Sequence, residues 1–118
     1  PISANIGRGF ETRMKTRDRR SAAEQERCEA ALFEAVSLIR NSDEAEVFLR
    51  DLCTPAELEA LADRWCVVAL LREGRPYREI NDLTGVSVTT IGRVARFLAR
   101  GHGGYQLVAG RLCDDPDT

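Results

Sequence analysis

Six side chains near the middle of the C-terminal half have the types and spacing to read a nucleic acid: Ser87, Val88, Thr89, Thr90, Arg93 and Arg96. They lie in YREINDLTGVSVTTIGRVARFL (Tyr77–Leu98), which predicts two short helices joined by a tight turn at Gly85. Ile80 and Leu83 hold the first helix inward, Val86 points inward from the turn, and Ile91, Val94 and Leu98 hold the second. The other face of the second helix is small, polar and basic. Ser87 takes the N-cap position, where its hydroxyl or the free N–H groups can meet a phosphate. Val88 and Thr89 come first for base edges, a methyl against thymine or a hydroxyl bonding either way, and Thr90 follows. Arg93 and Arg96, one to two turns on, can reach guanine or phosphate. This is the layout of a helix-turn-helix whose second helix enters the DNA major groove. It puts gene regulation ahead of catalysis, although a solvated surface helix can also carry two threonines.

Other chemistries have less support. No nucleophile sits beside a base, and the single histidine, His102, lies in a glycine-rich connector, so no catalytic residue is assigned. Cys28, Cys53, Cys66 and Cys113 are far apart with no CxxC pair, so neither a zinc site nor any other metal or cofactor is expected. Trp65 and Tyr105 can be a stacking platform for a ligand, but Trp65 lies on the apolar stripe, and core packing is the leading reading for it. The GHGGY segment can bind phosphate through its N–H groups or serve as a hinge. Cys66 can be a redox sensor, but apolar surroundings should keep it a thiol.

The positioning elements are all helical. Ser21-Ala-Ala-Glu24 is a capping box opening a helix to about Arg40, with Leu32, Ala35, Val36 and Ile39 as its stripe and Phe33 and Leu38 widening it. Asn41–Asp43 breaks that helix and caps the next, lined by Ala45, Phe48, Leu49 and Leu52. Thr54-Pro-Ala-Glu57 is a second box, with the proline in the first turn. Its helix runs to about Glu73, with Leu58, Leu61, Ala62, Trp65, Val68 and Ala69 at helical spacing. From Cys66 to Leu71 it is apolar all round, which calls for cover on several sides and suggests a partner subunit. Gly74 ends this helix, Pro76 opens the next, and Gly101 ends the recognition helix over 88–100. A short apolar piece, Tyr105–Leu112, follows, then an acidic end. No run alternates like a strand. The expected fold is all-α with five to six helices.

The 118 residues fit one domain, 31% charged and 43% hydrophobic, a globular balance. No apolar run approaches the roughly 18 residues of a membrane span, and no secretory signal is visible. With thiols expected to stay reduced, the expected location is cytoplasmic. The net charge of −2 hides a division. Residues 1–20 carry six basic and two acidic side chains, and 72–100 carry six and three, whereas 21–71 carry four basic and eleven acidic. Positive charge thus falls on the N-terminal segment and on the helix-turn-helix, where DNA binding needs it. The expected division is a flexible basic arm over 1–20, a helical dimerisation core over 21–71, a DNA-binding head over 72–100, and a tail over 101–118 that packs on the domain. Met14 can be the start of a shorter chain.

Phe48 to Val108, about half the chain, resembles the tryptophan-repressor family through LCTPAELEALADR (Leu52–Arg64), REINDLTGVS (Arg78–Ser87) and TTIGRV (Thr89–Val94). GHGGYQLV (Gly101–Val108) looks like the YerC/YecD branch of that family. The resemblance implies an intertwined all-helical homodimer reading double-stranded DNA. It places Tyr77 and Arg78 at backbone-contact positions, to which Arg75 can add a phosphate contact; such contacts give register rather than sequence choice. Asn81 stands where many helix-turn-helices carry a small residue, so its amide should be partly exposed or bonded to backbone. The family's ligand-holding positions correspond to Thr54, Arg64 and Arg93. Val94, in place of a glycine, and Phe97, in place of a small polar residue, should fill the slot. Tryptophan dependence is therefore not expected, any other small-molecule effector is unidentified, and Arg64 can instead pair with Asp63 or Glu57. The leading function is a DNA-binding transcriptional regulator of the repressor type. The alternative is a non-catalytic protein–protein interaction module built on the same motif.

Overall fold

The structure, a computed structural model, describes residues 20–114. The basic arm expected over residues 1–20, apart from Arg20, lies outside the described residues, as do Met14 and residues 115–118. Six helices are formed among the described residues, and no strand: α1 (Ala22–Ser37), α2 (Ser42–Leu52), α3 (Pro55–Arg72), α4 (Tyr77–Thr84), α5 (Val88–Arg100) and α6 (Gly104–Asp114). The chain divides into two compact units, one ending at Val47 and the other beginning at Phe48.

In the first unit, Ser21 Oγ accepts from Glu24 N–H at 3.1 Å while the Glu24 carboxylate accepts from Ser21 N–H at 3.2 Å, the expected capping box. The helix stops at Ser37 rather than at Arg40. Local polar groups compete for its last turn: Ser37 Oγ donates back to Glu34 O at 2.6 Å, and Arg40 N–H is taken by the Glu44 carboxylate at 3.0 Å. Asn41 Oδ1 accepts from Glu44 N–H at 2.9 Å and starts α2. Neither helix contains a buried residue. Of the stripe read from the sequence, Leu32, Phe33, Val36 and Leu38 are exposed and Ala35 and Ile39 half-buried; Val47 of α2 is exposed as well.

In the second unit, Thr54 caps α3, its Oγ1 accepting from Glu57 N–H at 3.1 Å and its own N–H donating to Glu57 at 2.8 Å. Helices α4, α5 and α6 each pack against α3, and α5 packs against both α4 and α6. The core is Val67, Val68, Ile80, Val86, Ile91, Val94 and Ala109, with Leu70, Leu71, Leu98 and Tyr105 half-buried against it. This shifts the expected inner face of α3. Val68 is buried, but Leu61 and Trp65 are 40% and 38% exposed, and Ala62 and Ala69 are exposed. The reason is placement: the other helices gather around Val67–Leu71, leaving the preceding turns of the stripe open. Leu83 is likewise 60% exposed, not held inward. Ile80, with Asn81 and Thr84 half-buried beside it, takes the inner face of this eight-residue helix, and a residue three further on lies about 60° around the axis. The connector after α5 is short: α6 begins at Gly104 and brings Ala109 and Tyr105 onto the core.

Candidate nucleic-acid interface

The turn between α4 and α5 is held through one buried residue. Val86 is 4% exposed, and both its backbone polar groups are taken by side chains of α4. Asn81 Nδ2 donates to Val86 O at 2.8 Å, and Val86 N–H donates to Thr84 Oγ1 at 3.1 Å, whose hydroxyl donates in turn to Ile80 O at 2.7 Å. Asn81 is half-buried and bonded to backbone, as its position required. Gly85 makes the reversal with φ 76°, a left-handed conformation that costs other residues about 1–2 kcal/mol. Thr84 was a silent residue in the sequence; only the fold shows that it and Asn81 together fix the angle between the helices.

Ser87 caps α5. Its Oγ accepts from Thr90 N–H at 3.1 Å and lies 3.0 Å from Thr90 Oγ1. The Ser87 and Thr90 hydroxyls are thus tied to one another, and Thr90 is half-buried, whereas Val88 and Thr89 are exposed at the free, positive end of the helix. Thr89, Arg93, Arg96 and Arg100 recur every three or four residues and form one exposed stripe opposite Ile91, Val94 and Leu98. Arg93, Arg96 and Arg100 form no ion pair among the described residues. Arg100 extends this stripe by a turn beyond the residues singled out from the sequence, and i+4 spacing from Arg96 was the available signal.

On α4, Arg78 is exposed and Tyr77 is 42% exposed. The Tyr77 ring passes over Gly92 of α5, where an added Cβ would lie 3.9 Å from Cε2, so the two helices of the motif meet there as well. Arg75 behaves differently. It bonds Glu73 at 2.8 Å and Glu79 at 2.7 Å, and hydrogen bonds to these two carboxylates hold its pKa above the ordinary arginine value. A phosphate would have to compete with both.

A family model for the Trp repressor protein matches residues 29–112. The chain belongs to the Trp repressor family. It is 38% identical over 81 residues to the uncharacterized protein YerC of Bacillus subtilis, covering 69% of this chain and 78% of that protein, which places it in the YerC-like branch. It superposes on the crystal structure of a TrpR-like protein from Eubacterium eligens with a TM-score of 0.66 and 38% identity, over 80% of this chain and 93% of that one. A candidate Trp repressor from Staphylococcus aureus gives a TM-score of 0.67 and 33% identity, over 81% and 91% of the two chains.

In this Trp repressor-like chain the three positions considered for a ligand serve other ends or stand free. Thr54 is engaged in its capping box. Arg64 is half-buried and makes no ion pair among the described residues, so the pairing expected with Asp63 or Glu57 is not formed. Arg93 is exposed on the outer stripe. Val94 is fully buried in the core, and Phe97 is half-exposed beside Trp65 and Tyr105. The Cys66 thiol is pushed up, first by desolvation and then by the charge of Asp63, and its Sγ contacts Asp63 O at 3.4 Å. Among the described residues no group of histidines, cysteines and carboxylates is arranged to hold a metal, and no helix is long and apolar enough to cross a membrane.

Proposed function

We propose that this protein is a sequence-specific DNA-binding transcription regulator of the repressor type, working as a homodimer in the cytoplasm without tryptophan as corepressor. The observation that carries the reading is the outer stripe of α5: Thr89, Arg93, Arg96 and Arg100, exposed and without ion pairs among the described residues, on the second helix of a rigidly held turn. Placed in the major groove, Val88 and Thr89 meet base edges, Arg93 and Arg96 reach guanine or phosphate, and Arg78 and Tyr77 grip the backbone. Ser87 and Thr90 then act mainly by fixing the helix start, and Arg75 joins only by exchanging a carboxylate for a phosphate. Membership of the Trp repressor family supports regulation over catalysis.

The homodimer is supported by apolar side chains that the described residues leave open: Phe33 on α1, Leu38 at its C-cap, Val47 and Leu52 on α2, all more than half exposed. Large apolar side chains left exposed in such number point to a partner that covers them. Two heads related by a dyad would read half-sites about 34 Å apart, or a multiple of it. The burial of Val94 supports independence from tryptophan, since a core side chain stands where the ligand slot was expected.

The test is a titration of the full protein against genomic DNA fragments at several salt concentrations. A specific fragment is retarded, and its affinity falls as salt rises. Absence of retardation for every fragment at low salt refutes the reading. If Arg93→Glu with Arg96→Glu leaves the cellular phenotype intact while changes at Glu44 and Asp51 abolish it, the protein is an interaction module instead.

A further inference from the structure

We infer, resting on the DNA-binding reading above, that Gly92 of α5 and the ring of Tyr77 beside it form a notch that takes one sugar–phosphate unit of a DNA strand. Gly92 is a glycine that the fold itself does not require. It lies more than a turn from either end of α5, where glycine is costlier than alanine because it loses more backbone freedom on folding. Two structural needs could excuse it, and neither applies. Positive φ occurs at Gly74, Gly85 and Gly103, not at Gly92. A Cβ at Gly101 would run into the Phe97 carbonyl, but one at Gly92 meets only Tyr77 Cε2, at 3.9 Å, an ordinary van der Waals distance. Alanine would therefore fit the folded chain and stabilise α5. What a side chain would obstruct lies outside the chain, and bare backbone is what lets a ligand come close.

The surroundings of Gly92 select what comes close. Residues three and four apart are neighbours on a helix surface. Val88 and Thr89 thus border Gly92 one turn before it and Arg96 one turn after, all three exposed. Tyr77, 42% exposed, closes the side toward α4. The rim holds a methyl-bearing and an aromatic wall, hydroxyl donors at Thr89 and Tyr77, and a guanidinium. A deoxyribose with its phosphate matches these groups: its C–H face lies against Val88 and the Tyr77 ring, and its phosphate oxygens accept from Arg96 and the tyrosine hydroxyl. Gly110 of α6 is equally unobstructed, but its helix neighbours are Gln106, Leu107, Cys113 and Asp114, none of them expected to meet DNA.

The place of the notch in the motif fits this occupant. In a helix-turn-helix the first helix crosses the DNA backbone while the second enters the groove. Gly92 lies where the two helices meet, so a strand passing from Tyr77 to α5 runs across it. Seated against bare backbone, that strand sets how deeply α5 enters the groove, and with it the reach of Val88 and Thr89 to the base edges.

The experiment compares the full protein with Gly92→Ala on a DNA fragment that the parent retards. At one protomer concentration the melting temperature of the variant should rise by about 2–5 °C, the gain of alanine over glycine inside a helix. Its affinity for the fragment should fall about tenfold, the scale of one methyl group forced into a packed contact. The opposite signs separate a lost DNA contact from damage to the fold. Hydroxyl-radical cleavage, which begins at deoxyribose C–H bonds, locates the contact: the parent should protect a sugar in each half-site that Gly92→Ala leaves reactive. Equal affinity of the two proteins overturns the inference and leaves the DNA-binding reading standing. A lower melting temperature in Gly92→Ala overturns it too, because the fold would then need the glycine. So does weaker binding with every sugar still protected. If the parent itself retards no DNA, the DNA-binding reading fails, and this inference with it.

Discussion

Asn81→Ala tests the way the recognition helix is held. The substitution removes the donor that reaches Val86 O at 2.8 Å. One hydrogen bond is worth about 0.5–1.5 kcal/mol net, but Val86 is 4% exposed, so its carbonyl would be stranded away from water. The expected loss is thus that of an unsatisfied buried acceptor, about 1–3 kcal/mol. Thr84→Val strands the Val86 N–H in the same way, and its expected cost is about the same. Both losses fall on one residue, so once the turn has loosened for the first, water can reach the second group. The double variant should cost less than the two singles together, by about 0.5 kcal/mol or more. Asn81→Asp keeps the shape but sets a carboxylate oxygen against the carbonyl, and it should be at least as damaging as alanine. Urea unfolding at one fixed protomer concentration measures all four, since a dimer's midpoint moves with concentration. If Asn81→Ala stays within about 0.5 kcal/mol of the parent, the usual range for a surface change, the clasp on Val86 is not a stabilising feature and the reasoning fails.

Three further outcomes are expected. Glu79→Gln frees Arg75 from one of its two carboxylates, so DNA affinity should rise and the slope of log affinity against log salt should steepen by up to about 0.9, one added phosphate contact; an unchanged slope means that Arg75 stays off the DNA. Gly85→Ala meets no atom within 4 Å and should cost only the left-handed penalty of about 1–2 kcal/mol, whereas Gly101→Ala would put its Cβ against the Phe97 carbonyl and should unwind the last turn of α5, seen as lost amide protection there. Alkylation of Cys66 should reach half its maximal rate at a higher pH than a free peptide thiol. Because its folded pKa is raised, the stability this thiol contributes is present below the unfolded pKa and lost as pH rises through the folded one, so stability should fall on the alkaline side and less so in Cys66→Ser.

The sequence by itself determined the elements and the family. Capping boxes at Ser21 and Thr54, the serine cap at Ser87 and glycine at the turn are local signals, and each is satisfied by atoms within a few residues of it. The family motifs fixed the fold for the same reason: they record which residues stand at those local positions. What only the tertiary structure decided is which apolar side chains are covered and which polar ones are already engaged. Leu61 and Trp65 have the same helical spacing as Val68, yet only Val68 is closed off, because the later helices converge on one end of α3. Arg75 and Arg93 read alike as basic residues of the head, but Arg75 lies between two carboxylates and Arg93 faces outward with none among the described residues. Burial and pairing depend on elements brought together across the chain, and helical periodicity describes one helix at a time.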